Sequence, residues 1–378
     1  MARLGDVFTI TSGGTPDKKK SAYYANGSIP WVKTGDLKNQ YVPTGIVCIT
    51  EEGLNNSSAK LFPPNTVLVA MYGATIGACS ILPYEASTNQ ACAAFLPNEK
   101  VLPTYLYYFL SSKKEQFIKD GVGGAQPNIS AGYLKNVQFD LIPMQQQIIM
   151  VGTLDKVSEL IALRKEQLAK LDRLVKSRFI ELFGDPVNNS KNLPELTLPE
   201  LGEFGRGVSK HRPRNDPKLL GGKYPLIQTG EVANSELYIT NYENTYSELG
   251  LKQSKMWQTG TLCITIAANI AKTAILTFDA CFPDSVVGFK ANDKTNNIFI
   301  HYWFSFFQAI LEAQAPESAQ KNINLKILSE LKIIVPPIEK QNEFVAFVEQ
   351  IDKSKLAIQQ SLDKLELLKK SLMQEYFG

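Results

Sequence analysis

Two short basic loops carry the side chains best suited to binding an anionic partner. Residues 11–20 (TSGGTPDKKK) place small polar side chains beside three lysines, and residues 205–214 (GRGVSKHRPR) carry three arginines. Lysine supplies a compact charge, whereas the planar guanidinium of arginine donates two parallel hydrogen bonds. The net charge of +3 and the pI near 8.4 permit an anionic partner without requiring one. The alternative is a pair of solvated basic loops.

Catalytic and metal chemistry finds little support in the sequence. Only two histidines are present, His211 and His301, so a histidine-rich zinc site or a paired-histidine mechanism is nearly excluded. The cysteines show no C-x-x-C spacing, which favours reduced core thiols at Cys48, Cys79, Cys92, Cys263 and Cys281. A Walker loop, a glycine-rich S-adenosylmethionine loop and an N-P-P-Y motif are all missing from the sequence. We therefore expect no catalytic residue, no metal and no cofactor in this chain.

The elements that carry the two loops belong to an internal repeat. Leu4-Gly5-Asp6-Val7 matches Leu201-Gly202-Glu203-Phe204, and Pro30 with its following Thr-Gly-Asp matches Pro225 with Thr-Gly-Glu. Further matches hold an offset of 194 or 195 residues to the end of the chain: Asn89 with Asp284, Tyr107 with Tyr302, Gln147 with Gln341, and Phe183 with Phe377. The two basic loops occupy the same place in the two copies. The chain is one unit written twice.

Each copy is predicted to be a compact α/β domain. Clusters of β-branched and aromatic residues between turn signals predict strands at 66–72 and 76–82, repeated at 262–267 and 272–278. Helices are expected at 104–118 and 298–311, and a last strand is expected to end at the prolines of 141–143 and 334–337.

A long amphipathic helix is predicted after each domain, over residues 145–183 and 339–377. Apolar residues recur there at alternating spacings of three and four, which is the pattern of a coiled-coil seam. The first seam comprises Leu154, Val157, Ile161, Leu168, Leu171, Val175 and Leu182. The second comprises Val348, Ile351, Ile358, Leu362, Leu365 and Leu372. The alternative is that each helix packs only on its own domain.

The short linker after the first helix favours an antiparallel pair. A helix of 39 residues spans about 58 Å, whereas residues 184–198 reach only about 50 Å when fully stretched. A parallel pair would need this linker to run taut along the whole helix, while an antiparallel pair needs only a loop. The turn-rich segment 187–194 (VNNSKNLP) fits such a loop.

These patterns predict an α+β fold: two tandem α/β domains separated by two long helices that form an antiparallel coiled coil, with a pseudo-two-fold internal repeat. The predicted segments are a first domain (1–143), a first spacer helix (144–184), a linker (185–199), a second domain (200–337) and a second spacer helix (338–378). No apolar run is long enough to span a membrane and the amino terminus lacks a secretory signal, so a cytoplasmic protein is expected.

The order domain, helix, domain, helix resembles the specificity subunit of a type I restriction-modification system. The shared elements are the copy-initial Leu-Gly-Asp/Glu, the Pro-x-x-x-Thr-Gly-Asp/Glu at Pro30 and Pro225, the helix entries I-P-x-x-x-Q and V-P-P-x-x-x-Q, and the endings RFIELFG and MQEYFG. No single motif is very specific, but the resemblance covers the whole chain.

This resemblance implies a non-catalytic DNA-recognition subunit. Each domain would read one half of a split, asymmetric double-stranded DNA site, and the helices would set the gap and dock modification (methyltransferase) subunits. Restriction subunits would join that assembly. S-adenosylmethionine, ATP and Mg would be bound by the partner subunits and not by this chain.

On this reading, the loops where the two copies differ should contact DNA. Lysine and arginine contact phosphates, and arginine pairs with guanine through two bonds. The candidate residues are Ser12, Thr15, Lys18, Lys19, Lys20, Lys33, Tyr72 and Thr75 in the first copy, and Arg206, Ser209, Lys210, Arg212, Arg214, Gln228, Asn269 and Lys272 in the second. Arg206, Arg212 and Arg214 are the best candidates for reading bases.

Two further sets are assigned to structural roles. Gln126, Asn128, Gln320 and Asn322 could pair with adenine, but their recurrence in both copies favours a backbone role. The aromatic runs at 105–109 and 302–307 could stack on bases, but their helical spacing favours core packing. Two other functions compete with DNA recognition: a two-domain coiled-coil scaffold that binds no nucleic acid, and an enzyme with an unrecognised active site.

Overall fold

The computed structural model describes residues 1–122, 128–314 and 323–378, and the chain divides into two compact units. Unit 1 comprises Met1–Lys165 together with Gln360–Gly378, and unit 2 comprises Glu166–Gln359. Each unit therefore takes in part of both long helices.

Within its described residues, unit 1 contains ten short strands, six α-helices of which the last continues into unit 2, and the end of the second long helix. In chain order they are β1 (Ala2–Arg3), α1 (Leu4–Val7), β2 (Ile10–Ser12), β3 (Ile29–Val32), β4 (Cys48–Ile49), α2 (Glu51–Asn55), β5 (Leu61–Phe62), β6 (Val67–Ala70), β7 (Cys79–Ile81), β8 (Ala86–Thr88), β9 (Cys92–Phe95), α3 (Pro103–Ser112), α4 (Lys114–Asp120), α5 (Ala131–Asn136), β10 (Gln138–Phe139) and α6 (Met144–Phe183).

Unit 2 continues with the remaining elements. They are β11 (Glu195–Thr197), α7 (Leu198–Leu201), β12 (Gly202–Arg206), β13 (Leu220–Leu226), α8 (Thr229–Asn234), β14 (Tyr238–Ile239), β15 (Asn244–Tyr246), α9 (Glu248–Lys252), β16 (Met256–Trp257), β17 (Leu262–Thr265), β18 (Thr273–Leu276), β19 (Ala280–Cys281), β20 (Val286–Ala291), α10 (Asn297–Gln314), α11 (Leu325–Glu330), β21 (Lys332–Ile334) and α12 (Ile338–Phe377).

The sheets repeat in the same order in both units. Unit 1 has an antiparallel sheet β2-β9-β6-β7 and a mixed sheet β4-β3-β8-β5, in which β3 and β8 are parallel. Unit 2 has the corresponding sheets β12-β20-β17-β18 and β15-β13-β19-β16, in which β13 and β19 are parallel. In unit 2 the sheet β12-β20-β17-β18 gains an edge strand, β14, which pairs with β18. At the equivalent place in unit 1, the described residues form only a single bridge, from Tyr41 to Ile81 of β7. The internal repeat is confirmed at the level of topology.

The central strands form because their sequences are short apolar runs bounded by turns. All four residues of β6, Val67–Ala70, are buried, and so are all four of β17, Leu262–Thr265. Such runs suit strands that are covered on both faces. The turn before β6 places Asn65 at φ 67°, a left-handed conformation that asparagine tolerates.

The aromatic helices pack into the cores, which confirms the prediction of core packing for both runs. Tyr105, Tyr108 and Phe109 of α3 are buried in unit 1, and Trp303 and Phe304 of α10 are buried in unit 2. Four of the five cysteines are buried thiols, and Cys48 is half-buried.

The predicted secondary structure needs three corrections. The helix expected at 104–118 is broken at Lys113 into α3 and α4. The last strand of the first copy is β10 at Gln138–Phe139, so residues 141–143 lie after the strand; the proline there precedes the long helix and does not end the strand directly. In the predicted linker, residues 195–197 form β11, which pairs with β21.

The two long helices pair antiparallel within each unit. In unit 1, Lys165 of α6 bonds Glu366 of α12 at 2.8 Å. In unit 2, Phe179 of α6 packs edge-on against Phe344 of α12 at 5.3 Å. The contacting residue number falls along α12, from 366 to 344, as it rises along α6, from 165 to 179, so the two helices run in opposite directions. The predicted antiparallel coiled coil is therefore the structure of these helices.

The predicted seam positions are the covered side of both helices. Leu154, Val157, Val175, Val348, Ile351 and Leu362 are buried, and Ile161, Leu168, Leu171, Leu182, Ile358, Leu365 and Leu372 are half-buried. Their neighbours one position away are mostly exposed, as in Lys156 and Lys176. The 3,4 spacing thus separates covered from solvent-facing positions.

Each domain core is closed by the end of the helix that follows the other copy. Phe377, at the end of α12, packs against Tyr105 at 5.3 Å and Phe109 at 6.3 Å in unit 1. Phe179 and Phe183, at the end of α6, pack against Phe299 at 5.3 and 5.1 Å in unit 2. The sequence-level alternative, in which each helix packs only on its own domain, is wrong.

We expect Phe377→Ala to weaken unit 1 and Phe183→Ala to weaken unit 2. Each change leaves a cavity in a packed aromatic cluster, which typically costs about 3–5 kcal/mol. Hydrogen exchange followed by mass spectrometry, which resolves the two units, measures the loss of protection in each. Leu367→Ala, on a side chain that is 67% exposed, is the control and should change protection little. Equal loss in both units from either phenylalanine change would contradict this assignment of the helix ends.

Candidate nucleic-acid interface

In unit 1, several candidate residues come together at one edge of the sheets. Strands β2 and β6 both run antiparallel to β9, so the ends of β2 and β6 lie beside the start of β9. The end of β3 lies there too, because Asn89 N donates to Val32 O at 2.9 Å. The topology therefore places Ser12, Thr15, Lys33 and Tyr72 along this edge.

The first basic loop is anchored to the sheet below it. The Trp31 Nε1 group donates to Gly14 O at 3.0 Å, and Tyr24 OH donates to Pro16 O at 2.6 Å. A Cβ at Gly13 would lie 2.0 Å from Thr88 O, so the backbone approaches too closely for any other residue. The Thr15 hydroxyl bonds the Gln90 side chain across the edge. These contacts fix the backbone and leave the lysine side chains outside.

The lysines of the first loop face solvent. Lys18, Lys19 and Lys20 are exposed, and Lys20 Nζ lies 3.0 Å from Tyr23 OH, which raises the lysine pKa. Lys33 Nζ lies 5.4 Å above the Trp31 ring. Tyr72 is 46% exposed, and Thr75 bonds the Tyr72 carbonyl at 3.2 Å. These groups form a positively charged surface with one exposed aromatic ring.

The equivalent edge of unit 2 carries the arginines. Arg206 ends β12 and pairs with Val287 of β20, beside the end of β17 at Thr265. Gln228 follows β13, and Asn269 lies in the turn between β17 and β18. Arg206, Gln228 and Asn269 are exposed, whereas Ser209 is only 7% exposed. The arrangement repeats that of unit 1 with different chemistry.

The second basic loop is held by hydrogen bonds to its backbone. Gln253 Oε1 accepts from the amides of Lys210 at 2.7 Å and His211 at 3.1 Å. His211 also contacts Asp216 at 3.1 Å. The pKa of the Asp216 carboxyl is lowered by the Lys218 amide and then by His211. The loop that presents Arg212 and Arg214 is therefore ordered by its neighbours.

A carboxylate lies between the two arginines. Arg214 Nη2 is 2.5 Å from Asp284 Oδ1, and Arg212 Nη2 is 3.6 Å from Asp284 Oδ2. Arg212 Nη1 also donates to the carbonyls of Ser209 at 2.6 Å and His211 at 2.9 Å. Both guanidinium groups remain about half exposed, at 55% and 47%.

Two open cavities meet at Arg214. One, of about 430 Å³, is lined in part by Ser209, Arg214 and Gln228. The other, of about 230 Å³, is lined in part by Arg206, Arg214 and Asp284. Four of the sequence-predicted residues are thus brought together around one depression in unit 2.

Lys272 lies apart from the arginines, in a depression toward the long helices. It lines a cavity of about 390 Å³ with Asp172, Glu236, His301 and Lys355. Lys355 contacts both Asp172 and Glu236, and its side chain is only 13% exposed. Desolvation opposes the charge of Lys355, but the hydrogen bond to Asp172 and the charge of Glu236 prevail and raise its pKa. The Lys272 side chain thus lies apart from the arginines, although the Lys272 amide donates to the Asn269 carbonyl at 3.4 Å.

Sequence reasoning missed three residues at these edges: Asp284, Gln90 and Lys60. Lys60 Nζ lies 2.9 Å from Thr11 Oγ1, beside the first basic loop. The repeat aligned Asp284 with Asn89, but the structure was needed to show which loops meet. The Val208 amide donates to Phe282 O at 3.1 Å and Arg214 contacts Asp284, which brings the loop after β19 against the arginine loop. Of the recurrent amides, Gln126, Gln320 and Asn322 lie outside the described residues. Asn128 exchanges backbone bonds with Val122 at 2.9 and 3.0 Å.

Comparison with known proteins identifies a common family. The family model described as Type I restriction modification DNA specificity domain matches residues 1–173 and 195–368. The MjaIX type I restriction enzyme specificity subunit of Methanocaldococcus jannaschii is 29% identical over 274 residues, which cover 68% of this chain and 62% of that protein. The match spans less than two thirds of that relative's length.

Solved structures share the fold over the whole chain. A chain from a type I restriction-modification system, solved for its complex assembly and conformational transition, superposes with a TM-score of 0.63 at 18% identity and covers 100% of this chain and 96% of its own. The specificity subunit of a type I system from M. genitalium superposes with a TM-score of 0.59 at 15% identity, over 100% and 95% of the two chains.

Neither a membrane span nor a metal site is found among the described residues. None of the helices within residues 1–122, 128–314 and 323–378 is long and apolar enough to cross a membrane. The same residues contain no group of three or more histidine, cysteine, aspartate or glutamate side chains placed to hold a metal ion.

His301 predicts a pH dependence confined to unit 2. Burial lowers its pKa to about 4, and its Nδ1 lies 2.9 Å from Thr273 Oγ1. Because the folded-state pKa is below the unfolded value, stability is full above about pH 6.5 and falls as the pH drops toward 4.

The loss attributable to His301 between pH 7 and pH 5 should be about 2 kcal/mol. It is measured as the difference between wild type and His301→Gln in hydrogen exchange of unit 2 amides at the two pH values. Unit 1 has Leu106, which carries no titratable group, at the corresponding position and serves as the internal control. An identical pH response of the two proteins in unit 2 would show that His301 does not titrate in this way.

Proposed function

The chain belongs to the type I restriction-modification DNA specificity family, and on that basis we propose that it is the DNA-recognition subunit of a type I restriction-modification complex. Each domain reads one half of a split, asymmetric site in double-stranded DNA. The observation that carries this proposal is the repeated sheet edge: the same strand ends bear lysines in unit 1 and arginines in unit 2.

The chemistry of the two edges suits two different half-sites. Phosphate contacts position a protein on DNA, and contacts to base edges provide the sequence choice. The exposed lysines at 18–20 suit phosphates. The ordered arginines present N–H donors for guanine, and Gln228 beside them presents an amide for adenine. Since the supporting strands are equivalent, the difference in side chains accounts for different target sequences.

The catalytic steps belong to partner subunits in this proposal. Modification subunits methylate the DNA with S-adenosylmethionine, and restriction subunits use ATP and Mg. This chain contributes recognition and assembly, in the cytoplasm where these substrates occur. The long helices dock the modification subunits and set the gap between the half-sites.

A two-domain scaffold without DNA binding is the alternative, and family membership argues against it. The two are separated by measuring salt-dependent DNA binding of the chain together with its modification subunit. Methylome sequencing of cells that express both subunits should reveal a gapped methylated motif. If no such motif is found, DNA recognition by this chain is refuted.

Replacing both Arg212 and Arg214 with alanine should change recognition of one half-site only. Loss of each two-bond contact to a base typically costs about 1–3 kcal/mol. Methylome sequencing should show relaxed sequence choice in that half and an unchanged opposite half. Lys18→Ala with Lys19→Ala, in the corresponding loop of unit 1, is the matched control; because these lysines suit phosphates, it should weaken binding without relaxing the sequence choice of either half. Equal effects of the arginine changes on both halves would contradict the model of two independent readers.

Inserting one heptad should lengthen the gap while leaving both half-sites intact. Since the helices are paired and their ends close the cores, the insertion has to be made in both, after Lys165 in α6 and after Gln359 in α12. Seven residues add about 10.5 Å, which corresponds to about three base pairs at 3.4 Å each. An insertion in α6 alone should instead displace Phe179 and Phe183 and weaken unit 2. An unchanged gap with the double insertion would refute the spacer role.

A further inference from the structure

Within the described residues, Asp284 is the one carboxylate that contacts both Arg212 and Arg214, two of the three candidate base-reading arginines. Its Oδ1 lies 2.5 Å from Arg214 Nη2 and its Oδ2 lies 3.6 Å from Arg212 Nη2. The aspartate is 34% exposed and lines the 230 Å³ cavity together with Arg206 and Arg214. The carboxylate therefore lies on the surface where DNA phosphates would approach.

A carboxylate in this place has two physical consequences. It holds the long arginine side chains in one orientation, so less conformational entropy is lost when they pair with a base. It also cancels part of their positive charge and repels a phosphate, so the arginines gain less from contacts that any DNA sequence can offer. Both consequences favour a base edge over a phosphate as the partner of Arg214.

We propose that Asp284 is a specificity-determining positioning residue of unit 2, which keeps Arg212 and Arg214 from binding phosphate and orients Arg214 toward a base edge. This inference rests on the proposed function, since it concerns how the same site chooses its sequence. One Nη2 proton of Arg214 stays on the carboxylate, and the other Nη2 proton together with an adjacent N–H group remains for the base.

Unit 1 shows a neutral contact at the equivalent place. The loop between β8 and β9 contacts the first basic loop through Gln90, whose side chain bonds the Thr15 hydroxyl. The corresponding loop between β19 and β20 supplies Asp284, which bonds Arg214. In unit 1 the loop before β9 contacts the loop after β2, and in unit 2 the loop before β20 contacts the loop after β12. The contact joins neutral side chains in unit 1 and opposite charges in unit 2. The negative charge of Asp284 therefore accompanies the arginines of unit 2. The strand arrangement that both units share does not require it.

The test is the salt dependence of DNA binding by Asp284→Asn, measured with the full chain in complex with its modification subunit. Asparagine keeps the shape and one acceptor but removes the charge. On duplex DNA without the recognition site, each arginine released onto a phosphate should steepen the slope of log K against log salt by about 0.9. On the recognition site, preference for the correct bases in the unit 2 half should fall about tenfold, with the other half unchanged.

Asp279→Asn is the control for charge alone. Asp279 lies in the loop after β18, at the opposite end of that strand, and its carboxylate accepts the Thr259 amide at 2.8 Å. The Asp279→Asn change removes one negative charge without altering a contact to the arginines. The slope of log K against log salt and the sequence choice should therefore stay at wild-type values.

A background lacking the arginines decides how Asp284 acts. In Arg212→Ala with Arg214→Ala, adding Asp284→Asn should produce no further change in slope or in sequence choice. If Asp284→Asn leaves both quantities unaltered in the wild-type background, or alters them equally without the arginines, the inference is overturned. A wild-type complex without any sequence preference would instead refute the proposed function itself.

Discussion

The antiparallel pairing of the two long helices is the interaction on which the rest of the structure depends. It delivers the end of α12 to unit 1 and the end of α6 to unit 2, where Phe377 and Phe183 fill the aromatic cores. Neither domain core is complete without residues that follow the other copy. Ion pairs between the helices, Lys355 with Asp172 in unit 2 and Lys165 with Glu366 in unit 1, add charged contacts, and such contacts favour one register over shifted ones. Folding of each domain is thereby coupled to correct pairing of the helices.

The sheet edges inherit their order from these cores. Strands β6 and β17 are buried along their whole length, so the loops at their ends start from fixed positions. Trp31 in unit 1 and Gln253 in unit 2 then bond the loop backbones and not the long charged side chains. The lysines and arginines consequently extend from rigid supports. Recognition of a base edge needs such placement, because a hydrogen bond weakens steeply with misalignment.

Much of the fold could be predicted from the sequence, because its signals are periodic and repeated. The offset between the copies, the 3,4 seam and the aromatic faces of α3 and α10 all follow from spacing and residue type. The exchange of helix ends could not be predicted, since a heptad pattern indicates a covered stripe but not which domain covers its last turn. The break at Lys113 and the early end of β10 are decided by tertiary packing. At the candidate interface, residue types predicted the arginines, while Asp284 required knowledge of which loops face each other.

The two sheet edges differ in their exposed loop side chains, which are the part of a repeated fold that can change most easily. Changes in the seam or in the aromatic clusters would disturb a core that both copies share, and such changes cost several kcal/mol. Changes in exposed loop side chains cost little stability. Charge in these loops can therefore vary independently in the two units, but an added arginine also strengthens contacts with any DNA. A carboxylate such as Asp284, in the facing loop, offsets that gain in affinity for any DNA and leaves the geometry of the guanidinium group unchanged. A charge added in one loop can thus be offset by an opposite charge in the loop across from it, as in the pair formed by Arg214 and Asp284.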